Sequence, residues 1–359
     1  MTKIHSPLIR ARKFCEDYAL QVPILMAPMA GSCPPALAIA VANGGGLGAC
    51  GALSMQPDAI GAWAKEVRAG SNGAFMMNLW IPDPAPVRDA ENEAALRDFL
   101  SAMGPDIHDT PAEVTLPDFD AQCEAMLAAG PSIISSIMGL YPAEFVAKMK
   151  AKNIRWFATA TTVTEAVAAA EAGADVIVAQ GMEAGGHRGA FNAEDAERAM
   201  VGLFALLPAV VDAVDVPVVA TGGIGDARGV TAAFMLGASA VQVGTALLRA
   251  PEAGTPAPWA DAMTAARPEH TTATHAYSGR LGRAIRNPFT EASAAKSAPR
   301  PAPFPIQRNL TAPMGAEALA TGNIDTMKAW AGQSASFARA VPAADIVADL
   351  WRDAEKLLG

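Results

Sequence analysis

The sequence predicts an α/β protein, a (β/α)8 TIM barrel with a smaller, mainly helical cap. Three observations carry that prediction. Eight short, near-continuous apolar runs recur along the chain, the pattern of strands covered on both faces. Ala-rich stretches of helical periodicity separate them, as in βαβ units. The segment 23–265 that contains them is close to the roughly 250 residues of a typical barrel. What is left over supplies the cap.

The first run, 23–29, leads into Ala27-Pro28-Met29-Ala30-Gly31, and a helix over 34–43 stops at Asn43-Gly44. Run 47–53 is followed by a helix over 57–69, ended by Gly70. Run 74–81 opens onto residues 82–117, which hold Pro82, Pro84, Pro86, Pro105, Pro111 and Pro117 and are too long for an ordinary βα loop. After run 132–138, a helix over 142–152 ends in Lys148, Lys150 and Lys152, which suit the negative end of its dipole. After run 155–161, Thr162 and Glu165 have the spacing of a capping box, and the helix stops at Gly173. Runs 175–180, 216–221 and 240–247 complete the set, with a helix over 226–236 that begins on Asp226. Residues 300–305 are too rich in proline for regular helix. An amphipathic helix ends the sequence, with Ile346, Leu350, Ala354 and Leu357 on one stripe. The expected organisation is a barrel from 1–81 and 118–265, and a discontinuous cap over its mouth from 82–117 and 266–359.

Composition narrows the function. The chain has 359 residues, is 51% hydrophobic and 18% charged, and has a net charge of −9. Such a chain builds a large core, and its acidity argues against nucleic acid as a partner. No apolar run approaches the roughly 18–20 residues of a membrane span, so no membrane association is expected. Residues 1–12 lack the apolar region of a secretory signal. Cys15, Cys33, Cys50 and Cys123 show no C-x-x-C spacing and read as reduced thiols of a cytoplasmic protein. No metal-ligand spacing occurs. A homo-oligomer is left open.

Barrel sites lie at the C-terminal ends of the strands. The seventh run ends in Gly222-Gly223, and the eighth carries Gln242-Val243-Gly244-Thr245. Paired glycine sites there suit a phosphate, because amide N–H groups can approach an anion closely. The sixth run opens into Gln180-Gly181-Met182-Glu183-Ala184-Gly185-Gly186-His187-Arg188-Gly189. His187, in a glycine-rich loop at the barrel mouth, is placed to exchange a proton at neutral pH. Glu183 either orients the imidazole ring or, the favoured reading, is simply solvated. Asn78 ends the third run, where its amide can pair with a heteroaromatic edge. The small residues around Ala27, Pro28 and Met29 leave room for a flat cofactor or mark a turn. Gly46-Leu47-Gly48-Ala49-Cys50-Gly51 matches a dinucleotide fingerprint, but it follows a helix and opens a strand, so it is rejected. Arg280, Arg283 and Arg286 are spaced as one face of a helix, either attracting a carboxylate or simply solvated.

Segments 23–31, 180–189, 218–229 and 237–245, with Gly181–Gly189 reading G-x-x-x-G-G-H-x-G, resemble the nitronate monooxygenase family, formerly called 2-nitropropane dioxygenases. Residues 277–280 and 330–333 look familial too, and Arg188 with the Pro-rich insert resembles the class acting on propionate 3-nitronate. The resemblance implies FMN bound without a covalent link. Its phosphate would rest on Gly222, Gly223, Gly244 and Thr245. Its ring would lie near Ala27, Pro28, Met29, Asn78 and Gln180, with Gly185 and Gly186 closing one side and Gln242 among the binding residues. His187 would be the catalytic base or an electrostatic partner of the nitronate, with Ser278 beside the flavin. The implied reaction oxidises a nitronate or nitroalkane with O2 to a carbonyl compound and nitrite or nitrate, a detoxifying chemistry. The alternative is an FMN-dependent NAD(P)H oxidoreductase of the enoyl-ACP reductase or quinone reductase type, which shares an E-A-G-G-H loop.

Overall fold

The computed structural model describes residues 6–71, 73–113 and 115–359. Eight parallel strands follow the eight apolar runs: β1 Ile24–Met26, β2 Gly48–Gly51, β3 Phe75–Trp80, β4 Ile133–Ile137, β5 Arg155–Ala160, β6 Val176–Gln180, β7 Val218–Thr221 and β8 Ala240–Val243. From β2 to β8 each strand pairs with the next, and β8 returns to β1 with Ile24 opposite Val241. The ring closes between β1 and β2 through a parallel bridge from Leu25 to Leu47. The strands are shorter than the apolar runs that encode them, and nearly every strand residue is buried. This is the (β/α)8 barrel expected of the sequence.

The helix signals hold locally. Thr162 and Glu165 form a reciprocal capping box at the helix Val163–Glu171. Asp226 accepts the amides of Arg228 and Gly229 at the start of the helix Ala227–Met235. Glu165 does more than cap. One of its oxygens takes the Thr161 amide at 2.6 Å, the Thr161 hydroxyl at 2.7 Å and the Thr162 amide at 3.2 Å, while the other takes the Phe191 amide at 2.7 Å. It thereby ties the end of β5 to the loop after β6. Glu165→Ala is expected to lower stability by about 2–3 kcal/mol, because it strands amides that a charged acceptor had satisfied. Urea unfolding of the variant against the parent checks this.

Two helices take places that periodicity did not indicate. Pro7–Tyr18 packs at the start of the strands: Phe14 and Tyr18 meet Phe157 with ring centroids 6.2 and 5.1 Å away, and Tyr18 lies near Arg155 and Asp175. The last helix, Ala343–Leu358, lies against Ala227–Met235 and Pro35–Asn43, in the outer ring. Ile346, Val347, Leu350 and Ala354 join the barrel core, whereas Leu357 is 59% exposed. Residues 343–358 are therefore barrel wall, which corrects their assignment to the cap. The chain leaves the barrel after β8, builds cap, and returns to supply the missing outer helix. Gly44 permits that return, since a Cβ there would sit 2.8 Å from the Ala344 backbone.

The cap joins both surplus segments. Leu96, Leu100 and Ile107 of the insert after β3 pack with Tyr277, Phe289, Leu310 and Met314. A small antiparallel sheet ties this cap to the barrel mouth. Strand Gly282–Ile285 pairs on one side with Thr271–Thr274 and on the other with Gly186–His187, His187 opposite Gly282. Arg283 is thus on a strand and Arg280 in the preceding turn, not on a helix face. Pairing with the His187 loop overrides the three-residue spacing. Among the described residues no helix is long and apolar enough to cross a membrane.

Candidate active site

The C-terminal ends of the strands surround a cavity of roughly 1390 Å³, its open mouth included. All the residues singled out for cofactor or catalysis line it: Ala27, Pro28 and Met29 after β1, Asn78 on β3, and Gln180 with Gly185, Gly186 and His187 at β6. Gly222 and Gly223 after β7, Gln242, Gly244 and Thr245 at β8, and Ser278 from the cap complete the set.

The glycines form a cradle. Gly222 and Gly223 have φ of +110° and +71°, in the left-handed region that only glycine enters freely. A Cβ on Gly222 would lie 3.1 Å from the Ala184 amide and the Gly181 carbonyl; one on Gly244 would lie 3.2 Å from Ala27 Cβ and Met29 Sδ. Trp259 also lines this cavity, and its buried indole N–H has no partner among the described residues. Such a donor can take an acceptor from a ligand or from water.

His187 is clasped by aromatic rings. Trp80 meets it edge to face at 4.7 Å and Trp330 lies tilted at 4.8 Å. Its Nε2 is 2.7 Å from Ser278 Oγ. Enclosure by these walls pushes the imidazole pKa down to about 3, and the cations of Lys328, Arg280 and Arg308 push the same way. Both effects favour the neutral imidazole, the form that a base needs.

The loop around His187 is stapled from behind. Gln180 donates to the His187 carbonyl at 3.1 Å and accepts the Gly189 amide at 2.8 Å, so both ends of its amide are engaged by the loop. Arg188 is buried and donates to the carbonyls of Gln180, Thr161 and Ala199. Burial lowers its pKa to about 10. Glu183 is not simply solvated: both its oxygens accept the Leu203 amide at 3.0 Å, at the start of the helix Leu203–Ala213. A carboxylate is favoured at that positive helix end. Asn78 donates to Ser135 Oγ at 2.9 Å, leaving its acceptor side for a ligand. Thr245 Oγ1 accepts the Gly332 amide at 2.9 Å and so holds the segment that carries Trp330.

Two cations at the cavity escaped the sequence reading. Arg308 follows the Pro-rich segment and donates to Ser54 Oγ at 2.8 Å. Lys328 lines the same space, with no hydrogen bond or ion pair to it among the described residues. Burial lowers the pKa of both, and Arg308 adds to the effect on Lys328. None of the described residues lining the cavity is Asp or Glu. No local pattern marks either cation: Arg308 lies in the five-residue helix Ile306–Leu310, Lys328 lies in irregular chain, and only the fold turns them inward.

The nitronate monooxygenase family model matches residues 12–353. A nitronate monooxygenase of Paraburkholderia phytofirmans is 38% identical over 341 residues, 92% of each chain. One from Pseudomonas aeruginosa is 36% identical over 344 residues, 94% of this chain and 97% of that one. Among solved structures, nitroalkane oxidase from Streptomyces ansochromogenes superposes with a TM-score of 0.85 at 33% identity, covering 95% of this chain and 97% of that one. FabK from Thermotoga maritima gives 0.76 at 25% identity, with 96% of each chain covered. With a neutral histidine and a glycine cradle at the mouth of a matching barrel, and a family model spanning nearly its whole length, the chain belongs to the nitronate monooxygenase family of oxidoreductases.

Proposed function

We propose that the protein oxidises alkyl nitronates with O2, using non-covalently bound FMN, and that its preferred substrate is propionate 3-nitronate. The observation that carries the substrate is the pair Arg308 and Lys328, two cations lining a cavity whose described residues include no carboxylate. A nitronate that also bears a carboxylate is a dianion. It matches two cations better than a simple alkyl nitronate or an uncharged quinone does.

The residues present fit FMN. Gly222, Gly223, Gly244 and Thr245 would take the phosphate, since a side chain at Gly222 or Gly244 would press on the neighbouring chain and the positive φ of Gly222 and Gly223 favours glycine there. Ala27, Pro28, Met29, Asn78 and Gln242 would line the ring and ribityl chain, with Gly185 and Gly186 on the side of His187. When bound, FMN supplies the redox chemistry. The protein's part is binding, orientation and proton handling. His187, neutral and uncrowded by acids, takes a proton from the carbon next to a nitro group when the substrate arrives as the neutral nitroalkane. Arg308 and Lys328 hold the anion, and Trp80 and Trp330 keep the imidazole in place.

The test compares three reactions of the purified yellow protein. Oxygen uptake with propionate 3-nitronate is expected to exceed uptake with ethylnitronate at equal concentration. NADH oxidation with a quinone or an enoyl thioester is expected to be slow. Rapid NADH oxidation without nitronate-driven oxygen uptake would favour the reductase alternative instead.

A further inference from the structure

Behind Ser278 lies an ion pair that the proposed reaction does not use. Arg280 is 1% exposed. Its guanidinium grips Asp83, Nε to Oδ2 at 2.9 Å and Nη2 to Oδ1 at 2.5 Å, and Nη1 donates to the Ala190 carbonyl at 2.9 Å. Asp83 belongs to the insert after β3, and Ala190 to the end of the His187 loop. The pair therefore fastens three segments to one point, with the fork-to-fork geometry that fixes direction as well as distance.

The backbone of the same arginine holds Ser278. The Ser278 hydroxyl donates to the Arg280 carbonyl at 3.2 Å and accepts the Arg280 amide at 3.3 Å. A serine hydroxyl has one proton and two lone pairs. With the proton given to Arg280 O and one lone pair taken by Arg280 N–H, one lone pair remains. It faces His187 Nε2 at 2.7 Å. All three groups are satisfied only when Nε2 carries the ring proton. The opposite tautomer would turn the serine proton to Nε2 and leave the Arg280 carbonyl without its donor, a loss in a buried turn.

We propose that the Asp83–Arg280 pair is a positioning device: acting through Ser278, it sets the tautomer of His187, placing the proton on Nε2 and leaving the free lone pair on Nδ1. Asp83, Arg280 and Ser278 are positioning residues here, and the base is His187. The proposal rests on the reading of His187 as the base, but its test does not depend on the substrate.

The test is long-range 1H–15N correlation on the flavin-loaded protein, with 15N-labelled histidine and no substrate. The chain has five histidines, and the signals lost in His187→Gln assign the ring. Nε2 is distinguished by its couplings to both ring C–H protons. The parent is expected to show a protonated Nε2 and an unprotonated Nδ1. Ser278→Ala and Asp83→Asn are expected to move both nitrogens toward exchange-averaged shifts, and Asp83→Glu to restore the parent pattern. If Asp83→Asn does not fold, Arg280→Lys, which keeps the charge but not the fork, serves in its place. A proton on Nδ1 in the parent, or an unchanged pattern in either Ser278→Ala or the ion-pair variant, overturns the proposal. A protein that shows the expected tautomers yet oxidises no nitronate would keep this inference and reject the substrate.

Discussion

His187→Ala is expected to retain its flavin and lose about 10²- to 10⁴-fold in kcat/KM on neutral nitroalkanes, the usual contribution of a general base. The loss on a preformed nitronate should be much smaller, because that substrate has already given up its proton. Steady-state oxygen uptake on nitroethane and on ethylnitronate, run side by side, separates the two. Equal losses on both would make His187 a binding group, and loss of flavin would make it structural. The pH dependence has a definite sign. With its pKa pushed down to about 3, the imidazole is in its basic form at every pH above that value. No acid limb from this ring should cross the range from pH 5 to 8. The same shift enters stability. An unfolded chain's histidine titrates near 6.5, so between about 6.5 and 3 the unfolded state binds the extra proton. This group's share of stability is complete above about pH 6.5 and declines as the pH falls toward 3. His187→Gln should remove that share of the acid sensitivity.

Arg308→Met and Lys328→Met should each lower kcat/KM for propionate 3-nitronate by roughly 10- to 100-fold, as expected for losing about 1.5–3 kcal/mol of charge-assisted hydrogen bonding. Ethylnitronate should lose less, since it presents one anionic group to two cations. Arg308 is anchored by Ser54 beyond β2, whereas the glycine cradle follows β7 and β8, so flavin content should be unchanged. A loss of equal size on both nitronates would mean that neither cation recognises the carboxylate. A loss of flavin would assign them to the phosphate.

The barrel was legible because its strands are covered on both faces. Ile24, Phe75, Ile133, Trp156, Val176 and Val218 write themselves as apolar runs whatever their partners. The loop 180–189 was legible for another reason, since glycine clusters around a lone histidine are rare in core chain. The final helix, by contrast, announces an apolar stripe but not its address. Only the packing of Ile346 and Leu350 against the barrel core shows that it closes the ring. Arg280 and Arg283 misled because i, i+3 spacing carries no information once the residues lie in a turn and a strand. Glu183 reads as solvated in the sequence because its partner, the Leu203 amide, is twenty residues away. Arg308 and Lys328 are silent: a single cation in a five-residue helix or in irregular chain has no periodicity to read.

The helix Ala343–Leu358 has a consequence for how the molecule is made. It is the last piece of the outer ring, yet residues after β8 must first cross into the cap before the chain reaches it. While the ribosome is still translating, the helices Pro35–Asn43 and Ala227–Met235 wait with an uncovered apolar seam between them. The barrel therefore cannot finish as an early N-terminal unit followed by a lid, the usual domain-by-domain order. The outer ring of the barrel is complete only once residues 343–358 have been made. A truncation designed to strip off the cap after Ala265 would remove a structural member of the barrel and yield an aggregation-prone chain, not a lidless enzyme.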